Sequence, residues 1–146
     1  MIKWDDVGTI IVPVDLDEPE PHSLRVAIEA RPKALHVVYV LPELEPSLLT
    51  QIDPVRRQES ALASLQRWLA DQGAPEAIRT HVRIGVPGHV VPEIAGELGA
   101  DLVVMSSHGR TGIPRALMGS VAERLVRFSP CPVLVLKSGG TDPGVG

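Results

Sequence analysis

The residues with most chemistry to offer form one stretch: Met105-Ser106-Ser107-His108-Gly109-Arg110-Thr111-Gly112-Ile113-Pro114-Arg115-Ala116-Leu117-Met118-Gly119-Ser120. An apolar run stops at Ser106, passes through a polar segment containing glycines, and restarts at Gly119-Ser120. Glycines, hydroxyls and arginines in this order suit an anion better than they suit a plain connection. Gly109 lets the backbone approach phosphate oxygens with no Cβ in the way. Gly119-Ser120 reads as the start of a helix, where free N–H groups and the positive dipole end attract negative charge. Arg110 and Arg115 add mobile positive charge. A structural reading competes. Ser120-Val121-Ala122-Glu123 matches the S-x-x-E capping box, in which Ser120 and Glu123 only satisfy the helix end, a contribution of about 1 kcal/mol. Gly109 and Gly112 are then turn residues. The spacing leaves both readings open.

Other reactive residues form no pattern of their own. Asp15 closes an apolar run and can accept hydrogen bonds from a ribose hydroxyl, or cap the end of a strand. There is no G-x-x-x-x-G-K-[ST] and no strand-linked G-x-G-x-x-G. His22, His36, His81, His89 and His108 show no metal-ligand spacing with cysteine or with one another, so each reads as solvent-facing or locally satisfied. No Ser-His-Asp arrangement can be assigned. Cys131 is the one cysteine. Between Pro130 and Pro132 it reads as a small, half-buried filler, because a reactive thiol needs electropositive neighbours.

These residues need a scaffold, and composition narrows it. A chain of 146 residues fits one domain. Aromatics make up only 3%, so the core must be aliphatic, and stacking platforms for single-stranded nucleic acid are absent. A net charge of -4 argues against phosphate-backbone binding, so no nucleic-acid partner is expected. No apolar run approaches the ~20 residues of a membrane span. Met1 to Asp6 lacks the apolar core of a signal peptide. A lone cysteine and no disulfide agree with a cytoplasmic protein.

Hydrophobic periodicity gives five strands and four main helices. Strands are expected at Thr9–Asp15, Leu35–Leu41, Ile78–Ile84, Leu102–Met105 and Val133–Leu136. The first is followed by an acidic loop, Leu16 to Pro21, and then by a helix at Ser23–Ala30. Asp53-Pro54 opens a long helix with Asp as N-cap, its inner face marked by Val55, Leu62, Leu65 and Leu69 beside Trp68. Gly85 to Gly88 reads as a turn. The next helix runs His89–Leu98, with Val90, Val91, Ile94, Ala95 and Leu98 inward and Pro92 in its first turn. The fourth helix runs from about Ser120 to Phe128. Gly-rich residues 138–146 read as a disordered tail. Alternation of this kind predicts a doubly wound α/β domain: a five-stranded parallel sheet, order 3-2-1-4-5, helices on both faces. Ligands of such sheets lie at the switch point, here between strands one and four, where Asp15 and Ser106–Gly109 meet.

At these residues the chain resembles the universal stress protein family. The likeness spans Thr9 to Lys137. It rests on Ile10-Ile11-Val12-Pro13-Val14-Asp15, on Gly99-Ala100-Asp101-Leu102-Val103-Val104-Met105-Ser106-Ser107-His108-Gly109, and on Leu117-Met118-Gly119-Ser120-Val121-Ala122-Glu123-Arg124-Leu125 followed by Cys131-Pro132-Val133-Leu134-Val135-Leu136-Lys137. The nucleotide-binding branch carries G-x-x-G-(nine residues)-G-[ST]; Gly109, Gly119 and Ser120 match it, and Ser106 stands at its first glycine. Leu16-Asp17-Glu18-Pro19-Glu20 replaces the Gly-Ser pair usual after strand one. The resemblance implies a domain over residues 1–137, homodimeric through the fifth strand Val133–Leu136, an edge that needs covering. It also implies ATP at the switch point with a divalent cation such as Mg or Mn. Pro13, Asp15 and Val40 would surround adenine and ribose. Met105 and Ser106 would lie under the nucleoside. Gly109, Arg110, Gly119, Ser120 and Val121 would hold the phosphates.

The expected function is therefore an ATP-binding stress-type sensor or regulator, hydrolysing slowly at most, with signalling partners the sequence does not name. Two alternatives stand beside it: a dimeric interaction module of the same fold that binds no nucleotide, and a hydrolase using Asp15 and a metal.

Overall fold

Runs of Val, Ile and Leu become the central strands of one parallel sheet, and the more polar run Arg79–Ile84 forms one of its edges. The computed structural model describes residues 7–17, 21–49, 52–106 and 115–136, with Leu49 and residues 115–120 described as backbone. The strands are β1 (Thr9–Pro13), β2 (Ala34–Leu41), β3 (Arg79–Ile84), β4 (Leu102–Ser106) and β5 (Val133–Leu136). The helices are α1 (His22–Glu29), α2 (Pro46–Leu49), α3 (Pro54–Asp71), α4 (Pro87–Leu98) and α5 (Arg115–Phe128). The sheet order is β3-β2-β1-β4-β5, all pairs parallel, as the alternation predicts.

Two aliphatic layers sandwich the sheet. On one side Leu24 and Ala27 of α1 and Leu65 and Leu69 of α3 pack on Ile10, Val12, Val37, Leu102 and Val104. On the other, Val90, Val91, Ile94 and Ala95 of α4 and Leu125 of α5 pack on Ile11, Val38, Val103 and Met105. Ile10, Ile11 and Val12 are fully buried, because β1 lies at the centre with helices above and below. Burial of each such side chain contributes about 1.5–3 kcal/mol.

Several element boundaries differ from the sequence reading. Asp53 does cap α3: its Oδ1 accepts from the Val55 N–H at 2.9 Å, with Pro54 following as expected. Val55, expected on the inner face, is instead 60% exposed, and Ala61 takes the buried place. α4 begins at Pro87, so Pro87 and Gly88 belong to the helix and not to the turn. Pro92 therefore sits beyond the first turn, inside the helix. α2 answers to no sequence signal that was read. Residues 138–146 lie outside the described residues.

The starts of β1 and β4 are stitched together. The Thr9 N–H donates to Asp101 Oδ2 at 2.8 Å, and the Asp101 N–H donates to the Thr9 carbonyl at 2.8 Å. A Cβ at Gly8 would lie 2.7 Å from that same Oδ2. Gly8→Ala should therefore displace the carboxylate and cost about 1 kcal/mol, the worth of one hydrogen bond. In an Asp101→Ala background the same change should be neutral or slightly stabilising, since Ala reduces unfolded-chain entropy. Urea unfolding of the two single variants and the double variant checks this; additive losses would refute it.

Candidate functional site

The switch point opens because β1 and β4 stop pairing early. Their register runs Ile10↔Leu102 and Ile11↔Val103, and no further pair follows among the described residues. On either side the ladders continue: β1 with β2 to Pro13↔Val38, and β4 with β5 to Ser106↔Leu136. A local cause is visible in the chain. The Val14 N–H donates to Val38 of β2 at 2.9 Å, whereas the Thr9 N–H faces the β4 side. Donors alternate along a parallel strand, so residue 13 is the next to face β4. Proline there offers no N–H. The two strands part where β1 runs out of donors.

Several of the predicted residues gather around this crevice. Pro13 ends β1, and Asp15 follows it, half-buried. Met105 and Ser106 end β4, 5% and 8% exposed. Val40, Met105 and Val121 pack into the cluster on the α4/α5 side of the sheet. Asp15 does local work as well: its Oδ1 accepts from the Asp17 N–H at 2.9 Å. That bond turns the chain sharply after β1.

Gly109 and Arg110 lie outside the described residues. Gly119 and Ser120 do not open a helix. α5 begins at Arg115, so the amides without intrahelical partners are those of residues 115–118, and Gly119-Ser120 lie in the second turn. The capping-box reading fails for the same reason. Glu123 instead reaches Arg127, one turn on, at 3.6 Å. That pair is exposed and adds little stability. α5 is held against α4 where Gly88 is buried beneath Arg124; a Cβ at Gly88 would lie 3.0 Å from the Arg124 Cδ. The Arg124 guanidinium lies 2.5 Å from His89 Nε2.

The structure brings together two histidines that sequence spacing kept apart. His36 of β2 and His81 of β3 approach within 2.8 Å, Nδ1 to Nε2. Both titrate below the ordinary histidine range. Burial is the chief cause for each, reinforced for His36 by His81 and Arg79, and for His81 by Arg83 and Arg79 against the opposing pull of Glu97. Strand order and side-chain parity together carried this signal; spacing along the chain did not. Among the described residues no group of three or more His, Cys, Asp or Glu side chains is placed to hold a metal ion. A cavity of about 220 Å³ lies at the ends of β2 and β3, lined by Glu43, Leu44, Ile52, Pro54, Arg57 and Ile84, none of them a predicted site residue. Cys131 is half-buried, as expected, with Ser129 Oγ at 3.6 Å from its sulfur. Among the described residues no helix is long and apolar enough to cross a membrane.

The arrangement defines a doubly wound α/β domain with a crevice at its topological switch point. The chain belongs to the universal stress protein family, whose model matches residues 7–137. It is 35% identical over 140 residues to universal stress protein MJ0531 of Methanocaldococcus jannaschii, covering 88% of this chain and 81% of that one. It is 30% identical over 156 residues to universal stress protein E of Escherichia coli, covering 92% of this chain but 48% of the relative, so it spans about half that protein's length. Among solved structures, the hypothetical protein MJ0577 superposes with a TM-score of 0.72 at 23% identity, covering 92% of this chain and 99% of that one. A universal stress protein in complex with cAMP superposes with a TM-score of 0.60 at 20% identity, covering 89% and 97%.

The crevice offers a direct test of its cause. Pro13→Ala restores a donor facing β4. The amide of residue 13 in that variant should exchange with solvent several-fold more slowly than an unbonded amide. Fast exchange there would mean that something other than the missing donor parts the strands.

Proposed function

We propose that this universal stress protein binds ATP in the crevice between the ends of β1 and β4 and acts as a nucleotide-dependent sensor or regulator, hydrolysing slowly at most. The early end of β1–β4 pairing carries the reading, because it opens space at the position where sheets of this topology take ligands. Asp15, half-buried at the mouth, suits a ribose hydroxyl. By position in the family pattern, Gly109, Arg110, Gly119, Ser120 and Val121 are assigned to the phosphates. A divalent cation, Mg or Mn, would arrive with the triphosphate, since no three-ligand site waits for it among the described residues. The protein would act as a homodimer through β5, an edge strand whose Val135 is exposed; Val126 and Phe128 of α5 are exposed as well.

A second reading draws on two observations. Gly119 and Ser120 lie within α5, where their N–H groups face the preceding turn, and one Asp15 oxygen is engaged by the Asp17 amide. Both favour an interaction module of the same fold that uses its dimer surface and binds no nucleotide.

Calorimetric titration separates the two. ATP with Mg²⁺ should give saturable heat at high micromolar protein, with cAMP run in parallel because a protein of this fold was solved with it. Absence of heat with both ligands would select the interaction module. Asp15→Asn keeps an acceptor for the Asp17 amide and should weaken binding by roughly tenfold, the worth of a hydrogen bond to a charged group. Gly119→Val should abolish binding while circular dichroism stays unchanged. Unaltered affinity in both variants would place the nucleotide elsewhere.

A further inference from the structure

We propose that His36 and His81 form a proton-sensitive latch that fastens the edge strand β3 to β2 and releases it on mild acidification. β3 is an edge: among the described residues β2 is its one neighbour in the sheet. Their register sets His36 opposite Arg79 and Val38 opposite His81, so the two rings meet diagonally on the α4 side. The ring centroids are 5.1 Å apart, and the Nδ1–Nε2 separation of 2.8 Å is that of a hydrogen bond. Such a bond needs one ring N–H and one bare ring nitrogen, hence at least one neutral ring. His36 is only 4% exposed, so its ring has little water to turn to.

The surroundings make a doubly charged pair untenable. On β3 the facing groups are Arg79 and Arg83, both cationic. On α4 the facing group is Glu97, and its Oε2 already accepts from Arg83 at 3.0 Å. On β1 the register partner of His36 is Ile11, which carries no charge. Two imidazolium rings would thus add two positive charges beside two guanidinium groups and one engaged carboxylate. Both nitrogens would then be donors and the bond would be lost.

The sign follows from the direction of the shifts. Both rings bind protons less readily in the folded chain than in the unfolded chain, whose ordinary histidine value is 6.5. The stabilisation is fully present above that value and is lost as pH falls through the lowered folded values. The loss falls on β3, because among the described residues no second strand holds it.

Native-state hydrogen exchange of the full chain at pH 7.5 and pH 5, corrected for intrinsic rates, reads this directly. The β3 amides bonded to β2 should lose protection several-fold while those of β1 and β4 keep theirs. In the double variant His36→Val, His81→Thr the β3 protection should not change with pH. Equal loss over all strands, no loss, or the same loss in the double variant would overturn the latch. If that variant does not fold, ring ¹⁵N shifts of the wild type decide. Both rings should remain mostly neutral at pH 6.5, where an unfolded histidine is half protonated, and take up protons only below it; a ring half protonated at or above that pH would overturn the proposal.

Discussion

The early end of β1–β4 pairing, just before the donorless Pro13, is the constraint on which the crevice depends. β1 is the central strand and must bond to β2 on one side and β4 on the other. It holds β2 through Val14 but loses β4 after Ile11. A proline in a central strand is ordinarily unfavourable, and it is tolerated here because it is the last residue. The reciprocal bonds between Thr9 and Asp101 anchor the opposite end of the same strand pair. β1 and β4 are therefore tied at their beginnings and free at their ends, like two blades on one rivet.

That division sorts the residues by task. The lower half of β1 and β4 is dry and aliphatic, and burial of Ile10, Ile11, Leu102 and Val103 adds to the Thr9–Asp101 bonds there. Asp15 and Ser106 stand at the upper end, where backbone groups leave the ladder and polar side chains have reason to be. The helices follow the same logic. α4 and α5 back the face that carries Val40 and Met105, and they approach each other closely at Gly88. The histidine pair lies outside this division. It belongs to β2 and β3, nearer their beginnings, where no family motif falls.

Most of the architecture was legible in the sequence. Strands of Val, Ile and Leu stop at prolines, glycines and carboxylates, so their limits were read within one or two residues; β5 was read to the residue. Strand order followed from alternation. Helix starts were read less well. Gly85 to Gly88 has the composition of a turn, yet proline suits the first helical position and Pro87 takes it, which sets Pro92 inside the helix. Ser120 and Glu123 have capping-box spacing, but Arg115-Ala116-Leu117-Met118 are strong helix formers and carry the helix five residues further back. Val55 has the right period for the inner face yet sits in the first turn of α3, where it stays in water. The pairing of His36 with His81 needed two facts at once, neighbouring strands and matching parity, and neither is local.

One feature of the core has a bearing on how the molecule can be watched. With so few aromatics, the chain has two tryptophans, of which Trp4 lies outside the described residues. Trp68 is on α3, packed against the layer that includes Leu65 and Leu69. Val40, Met105 and Val121 belong to the opposite layer. Light emitted by Trp68 thus reports on the layer of α1 and α3, which Val14 and Leu16, flanking Asp15, also join. A ligand at Asp15 would change its colour only by a shift relayed through that layer, and a silent indole would say nothing about occupancy.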